Sequence, residues 1–169
     1  MELHGPRLVG FAADQFSHTE KIDRSYRVFA SERRVRFTEM EYAIPRAAGR
    51  EALERVMAMI ERRRLPISFP IEFRFVAPDD AFLSPANGRE TAYIAVHTYR
   101  GMEHETYFRA VESIMREYDG RPHWGKRHYR TAADLAPAYP DWDRFQAVRE
   151  RLDPSRLLRN DYATRVLGP

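Results

Sequence analysis

The segment Phe69-Pro70-Ile71-Glu72-Phe73-Arg74-Phe75-Val76 constrains the fold more than any other stretch, because its large apolar residues recur at every second position. A strand with one buried face requires that period, and it predicts Phe69, Ile71, Phe73 and Phe75 on one face with Pro70, Glu72 and Arg74 on the other. A loop full of turn residues follows, Pro78-Asp79-Asp80, Ser84-Pro85 and Asn87-Gly88, and then a second strand over about 91–99. The two are expected to pair like a hairpin, with Tyr93, His97 and Tyr99 on one face and Ile94, Val96 and Thr98 on the other. Upstream, Tyr26 and Val28 alternate, and beyond Ser31-Glu32-Arg33 the run Val35 to Ile44 sets Val35, Phe37 and Glu39 opposite Thr38, Met40 and Tyr42. These predict two further strands, the second stopped by Pro45.

Helical periodicity separates these runs. Gly49 is a fair N-cap for a helix over about 50–63, whose Leu53, Val56, Met57 and Ile60 follow i, i+3, i+4, i+7. A second helix, about 103–118, carries Tyr107, Phe108, Val111, Ile114, Met115 and Tyr118 on one stripe and needs a sheet beneath it. Thr131 with Asp134 reads as a capping box. Asp141 is expected to cap another helix with Phe145, Val148 and Leu152 inward, ended by Asp153-Pro154. The stretch 155–169 reads as irregular. The order β-β-α-β-β-α predicts an α+β fold: an antiparallel β-sheet with helices packed on one face, plus an irregular helical C-terminal tail. We divide the chain into a lead-in segment (1–25), a unit of sheet and helices (26–130) and a C-terminal helical tail (131–169).

Composition narrows the chemistry. The 169 residues contain no cysteine, which removes disulfides, thiolate metal sites and cysteine nucleophiles. No apolar run approaches a membrane span, and the N-terminus lacks the pattern of a secretory signal, so a cytoplasmic location is expected. The formal charge is +3, carried almost wholly by arginine, because Lys21 and Lys126 are the sole lysines. Most arginines are interspersed with Asp and Glu, as on a solvated surface, and nucleic acid is not an expected partner. The eight glycines never take a phosphate-cradling spacing, and the six histidines do not fall on one helix face, so no metal site is expected.

Two constellations can carry chemistry. Glu72 and Arg74, two apart on a strand, share a face about 6.6 Å apart. They form either a solvated ion pair or a polar clamp aimed at a hydroxylated ligand. Pro122-His123-Trp124-Gly125-Lys126 is either a tight turn with a tucked indole or a loop presenting a compact ammonium to a developing oxyanion. His97 reads more readily as a sheet histidine satisfied by a neighbour than as a ligand contact.

The order and spacing of several pieces then resembles a known family. They are Met40-Glu41-Tyr42-Ala43-Ile44-Pro45-Arg46, Ile71-Glu72-Phe73-Arg74-Phe75 with Asp79-Asp80 and Leu83-Ser84-Pro85, and Gly120-Arg121-Pro122-His123-Trp124-Gly125-Lys126-Arg127-His128. Further on come Tyr139-Pro140, Phe145, Arg149, Leu152-Asp153-Pro154 and Asn160-Asp161-Tyr162. Together they are similar to the C-terminal part of the sugar-lactone and alditol oxidases of the vanillyl-alcohol-oxidase flavoprotein family, the group of D-arabinono-1,4-lactone, L-gulonolactone and alditol oxidases.

That resemblance implies a substrate-binding cap of an oxidoreductase that moves hydride from a carbinol to FAD, with FAD bound mainly by a domain absent from this chain. It implies Glu72, Arg74 and Lys126 as catalytic residues, and His97, Thr98 and His123 as substrate contacts. Thr98 competes with His97 for the place of a family threonine. Trp124, Asn160 and Tyr162 are the implied cofactor contacts. The implied partners are a sugar lactone or polyol and an FAD-binding domain in cis or in trans, with peripheral membrane association and self-association through the flavin-domain face also open. Alone, the chain is then expected to be inactive. The alternative is a stand-alone, non-enzymatic α+β module that binds a polyol or anion.

Overall fold

A computed structural model of the chain describes residue 20, residues 22–28, residues 30 and 32, and residues 34–169. Most of the lead-in segment therefore lies outside the described residues. After the single helical turn Ser25–Val28, four strands and five α-helices follow in chain order among the described residues: β1 (Phe37–Pro45), α1 (Gly49–Arg62), β2 (Glu72–Val76), β3 (Thr91–Tyr99), α2 (Glu105–Arg116), β4 (Arg121–Pro122), α3 (Ala132–Leu135), α4 (Trp142–Leu152) and α5 (Asp161–Leu167). The antiparallel sheet has the order β2-β3-β1-β4. With β-α-β-β-α-β along the chain, this is the split β-α-β arrangement of ferredoxin-like sheets. The α+β architecture with helices on one face is as the patterning predicts.

The alternation in β1 and β3 explains the layering. Met40, Tyr42 and Ile44 from β1 and Ala92, Ile94 and Val96 from β3 point to one side. There they are buried against Ala52, Val56 and Met59 of α1 and Phe108, Val111 and Met115 of α2. One polar tie crosses this layer: the Tyr42 hydroxyl donates to Glu112 Oε2 at 2.6 Å, and the Tyr129 N–H donates to the same oxygen at 2.8 Å. The helix α1 comes so close to β3 that a Cβ on Gly49 would stand 2.7 Å from that of Ala92. A smaller apolar cluster, Leu135, Tyr139, Trp142 and Val166, forms among the last helices.

Several expectations are corrected. Ser25–Val28 is one helical turn and not a strand. The fourth strand is instead Arg121–Pro122, paired with β1, whose two residues are too short to show a period. Gly49 lies inside α1, with Ala48 as its N-cap. Met57 is 49% exposed while Met59 is buried, because the approach at Gly49 turns the Gly49-Ala52-Val56-Met59 stripe to the sheet.

Pairing of β2 begins only at Glu72. Phe69 therefore escapes the alternation and stacks on His97, centroids 4.8 Å apart, on the opposite side of the sheet from Phe73. Asp141 does not cap α4 with its side chain; its carboxylate accepts from Arg144 at 2.7 Å and Asn87 at 3.1 Å. Leu152 is 73% exposed, since α4 packs through its Trp142 end. The stretch expected to be irregular contains α5, started by Asn160, whose Oδ1 accepts from the Ala163 N–H at 2.8 Å.

Candidate functional site

The sheet face opposite the helices carries the polar residues of the alternating strands. The register sets Glu39 level with His97, Glu41 with Ala95 and Ala43 with Tyr93. On the far side of β3, Glu72 lies level with Ala95 and Arg74 with Tyr93. Glu39, Glu41, Glu72, Arg74 and His97 thus share one face because each sits at the same phase of the pleat.

Lys126 reaches that face by a local departure from pairing. Beyond Pro122 the chain keeps one ladder bond, from the His123 N–H to the Glu41 carbonyl at 2.9 Å, and then loops outward. It closes a turn from the Lys126 N–H to the His123 carbonyl at 3.1 Å and rejoins β1 through the Arg127 N–H and the Glu39 carbonyl at 2.9 Å. The bulge carries Lys126 back over β1. Its ammonium donates to Glu39 Oε1 at 2.5 Å and Glu41 Oε2 at 2.6 Å.

On the other side, Arg74 Nη2 donates to Glu41 Oε1 and its guanidinium lies 5.0 Å from the centre of the Tyr93 ring. His97 Nε2 is 3.1 Å from Glu39 Oε1. The result is a continuous chain of polar contacts, Arg74–Glu41–Lys126–Glu39–His97. Burial disfavours the Lys126 ammonium, but its hydrogen bonds to Glu39 and Glu41 and their negative charge outweigh it, so its pKa stands above the ordinary lysine value. Arg74 is raised likewise, burial opposing and Glu41 prevailing.

Two hollows adjoin this network. One, of about 500 Å³, is lined by Phe37, Phe69, Ile71, Glu72 and His97. The other, about 970 Å³ and open along β1 where β4 does not cover it, is lined by Glu39, Trp124, Lys126, Arg127, Tyr162 and Arg165 among others. Arg74 and Lys126 are joined through Glu41. Glu72 stands at the rim of the smaller hollow, 3.8 Å from Arg74 Nε, and Lys126 at that of the larger. Phe37 borders both hollows.

The remaining sequence candidates are placed as follows. His97 is 6% exposed, with Nδ1 unpartnered among the described residues. Thr98 is buried on the helix side, away from the polar network. The His123 ring accepts from the Gly125 N–H at 3.1 Å and so closes the bulge. The Trp124 indole donates to the Leu83 carbonyl at 2.7 Å, and the Tyr162 hydroxyl donates to the Trp124 carbonyl. The Asn160 side chain is engaged in starting α5. Sequence reasoning missed Glu39 and Glu41 as site residues. The signal was there: in Thr38-Glu39-Met40-Glu41-Tyr42 the two carboxylates lie two apart, opposite Met40 and Tyr42, the spacing that drew attention to Glu72 and Arg74. Among the described residues no group of His, Asp and Glu could hold a metal ion, and no helix is long and apolar enough to cross a membrane.

Comparison with known proteins gives this face its context. Residues 5–166 match the family model described as D-arabinono-1,4-lactone oxidase. The chain is 65% identical over 164 residues to an L-gulono-1,4-lactone dehydrogenase of Mycobacterium tuberculosis, covering 97% of this chain and 38% of that protein. It is 34% identical over 172 residues to an L-gulonolactone oxidase of Mus musculus, 95% of this chain and 39% of that one. To an alditol oxidase of a Streptomyces species it is 35% identical over 132 residues, 76% of this chain and 31% of that protein. These relatives are oxidoreductases of sugar lactones or alditols by name. The chain belongs to the D-arabinono-1,4-lactone oxidase family and spans well under half the length of these relatives.

Proposed function

We propose that this chain is the substrate-binding part of an FAD-dependent oxidoreductase that oxidises a carbinol of a sugar lactone or alditol. The observation that carries the reading is the pair of cations, Arg74 and Lys126, held on one sheet face by a shared buried carboxylate beside Glu72 and His97. A polyhydroxylated ligand needs donors and acceptors fixed in number and direction, and a pleated floor supplies both. Arg74 donates to ligand hydroxyls, Glu72 accepts from one, and the Lys126 ammonium stabilises negative charge on the oxygen of the carbinol being oxidised. Phe37 and Phe69 exclude water beside them. Residues 26–130 form this substrate unit, and 131–169 brings Tyr162 to its edge.

The larger hollow fits one end of a flavin better than the whole dinucleotide. Trp124 and Tyr162 give it aromatic walls and Lys126, Arg127 and Arg165 give it positive charge, whereas the glycine spacing offers no phosphate cradle. Trp124 and Tyr162 would flank the ring and Lys126 would stand at its edge. When bound, FAD supplies the hydride acceptor.

The test is a titration of the ¹⁵N-labelled chain with L-gulono-1,4-lactone. Shifts at Glu39, Glu41, Arg74 and Lys126, weakened in Lys126→Met, are the expected result. A wild-type spectrum unchanged up to tens of millimolar lactone, or shifts confined to other surfaces, would sink the proposal.

A further inference from the structure

Glu41 is the carboxylate at the centre of the polar face. Its side chain has no solvent exposure, against 18% for Glu39 and 54% for Glu72. A carboxylate in that position is costly unless its oxygens are matched, and here both are: Oε1 accepts from Arg74 and Oε2 from Lys126. The two cations arrive from opposite edges of the sheet. Lys126 comes from the bulge beside β1, and Arg74 comes from β2, with β3 lying between β2 and β1. The β3 residue level with both Glu41 and Glu72 is Ala95. Its methyl side chain leaves the gap through which the Arg74 side chain reaches β1; a longer residue there would stand in the path.

We propose that Glu41 is a positioning residue of the lactone site, setting the separation of Arg74 and Lys126 across the gap at Ala95 and biasing the site toward neutral polyhydroxyl ligands. This rests on the sugar-lactone reading above. Without Glu41 the two cations would repel each other, and Lys126 would follow Glu39 and His97 alone. The bias follows from charge. On the sheet floor three carboxylates face the cations Arg74 and Lys126, Glu39 and Glu41 through hydrogen bonds and Glu72 as an ion pair at 3.8 Å; Arg34 and Glu32 pair at the rim at 2.6 Å, and Arg109, Arg127 and Arg165 line the larger hollow, on the flavin side. A ring-closed lactone enters without penalty. The ring-opened hydroxy acid, an anion of nearly the same size, meets the negative excess of that floor.

The test uses Glu41→Gln, which keeps the shape but replaces one acceptor by a donor. Because the chain has only two lysines, lysine labelled with ¹³C at Cε gives one signal for Lys126 beside that of Lys21. In Glu41→Gln the Lys126 pKa is expected to fall, affinity for L-gulono-1,4-lactone to drop at least about tenfold, and the preference for lactone over sodium gulonate to shrink. Glu41→Asp, with the charge restored on a shorter stem, should recover the Lys126 titration and the exclusion of gulonate in part. A folded Glu41→Gln that keeps the wild-type Lys126 titration, lactone affinity or lactone preference overturns the proposal.

Should Glu41→Gln fail to fold, Ala95→Leu leaves every charge in place and blocks the crossing. Loss of lactone affinity with the Lys126 pKa still raised supports the proposal, and unchanged affinity overturns it. If the wild-type chain binds no lactone, the functional reading falls and takes the ligand bias with it. The response of Lys126 to Glu41→Gln then decides the positioning claim by itself.

Discussion

Acidification should cost this chain stability through one histidine. His128 is 4% exposed, its Nε2 lies 3.1 Å from the Tyr162 hydroxyl, and its Nδ1 has no partner among the described residues. Burial, and after it the charges of Arg165 and Arg130, lower its pKa from 6.5 to about 4. The folded protein therefore keeps the ring neutral where the unfolded chain protonates it. Between those two values the unfolded state binds more protons, so the free energy of unfolding falls as pH falls; above 6.5 and below about 4 this group adds no further slope. At roughly 1.4 kcal/mol per pKa unit, the full loss is about 3 kcal/mol.

The assay is urea unfolding of the wild type and His128→Gln from pH 7.5 to 4.5, with the His128 ring resonances followed alongside. Other titrating groups are common to both proteins and cancel in the difference. The variant is expected to be the less stable at neutral pH and the gap to close by about 2–3 kcal/mol at the acid end. Stability curves that stay parallel, or a folded-state His128 that titrates near 6.5, would refute the reasoning.

Three further outcomes follow from the packing. Gly49→Ala pushes a methyl to 2.7 Å from Ala92 Cβ, which has no flexible end to move aside, and is expected to destabilise by about 1–3 kcal/mol in urea unfolding. Arg121 donates to the carbonyls of Ala138, Asn87 and Pro85 at 2.7, 2.8 and 3.2 Å, tying the 77–90 loop to the tail, and Arg121→Lys cannot reproduce that fork. A loss of about 2–4 kcal/mol is expected, and a melting temperature equal to wild type would contradict it. Asn160→Ala removes the side-chain acceptor that starts α5 and should lower stability by about 1 kcal/mol, with faster amide exchange at Ala163 as the local signature.

How far the site could be read in advance depended on the kind of residue. Glu72 and Arg74 stand out because charges interrupt a run of phenylalanines. Lys126 stands out as one of two lysines among many arginines. Glu39 and Glu41 carry the same period-two signal but sit among less hydrophobic neighbours, and nothing local shows that both would be claimed by cations more than thirty positions away. The spacing of Phe69 from Ile71 fits a strand and so predicts Phe69 on the core face. The spacing says nothing of whether hydrogen bonding has begun, and pairing starts only at Glu72.

The sequence alone determined the strand and helix periods, the faces of β1 and β3, the stripe of α2, the capping box at Thr131 and the α+β class, since each follows from residues within a few positions of one another. The tertiary structure decided that β3 lies between β1 and β2, that a two-residue strand closes the far edge, and that Lys126 and Arg74 meet on one carboxylate over Ala95. Those facts depend on strand order and on a bulge. Both are settled by the whole sheet burying its apolar face at once, and no local window of the chain contains that information.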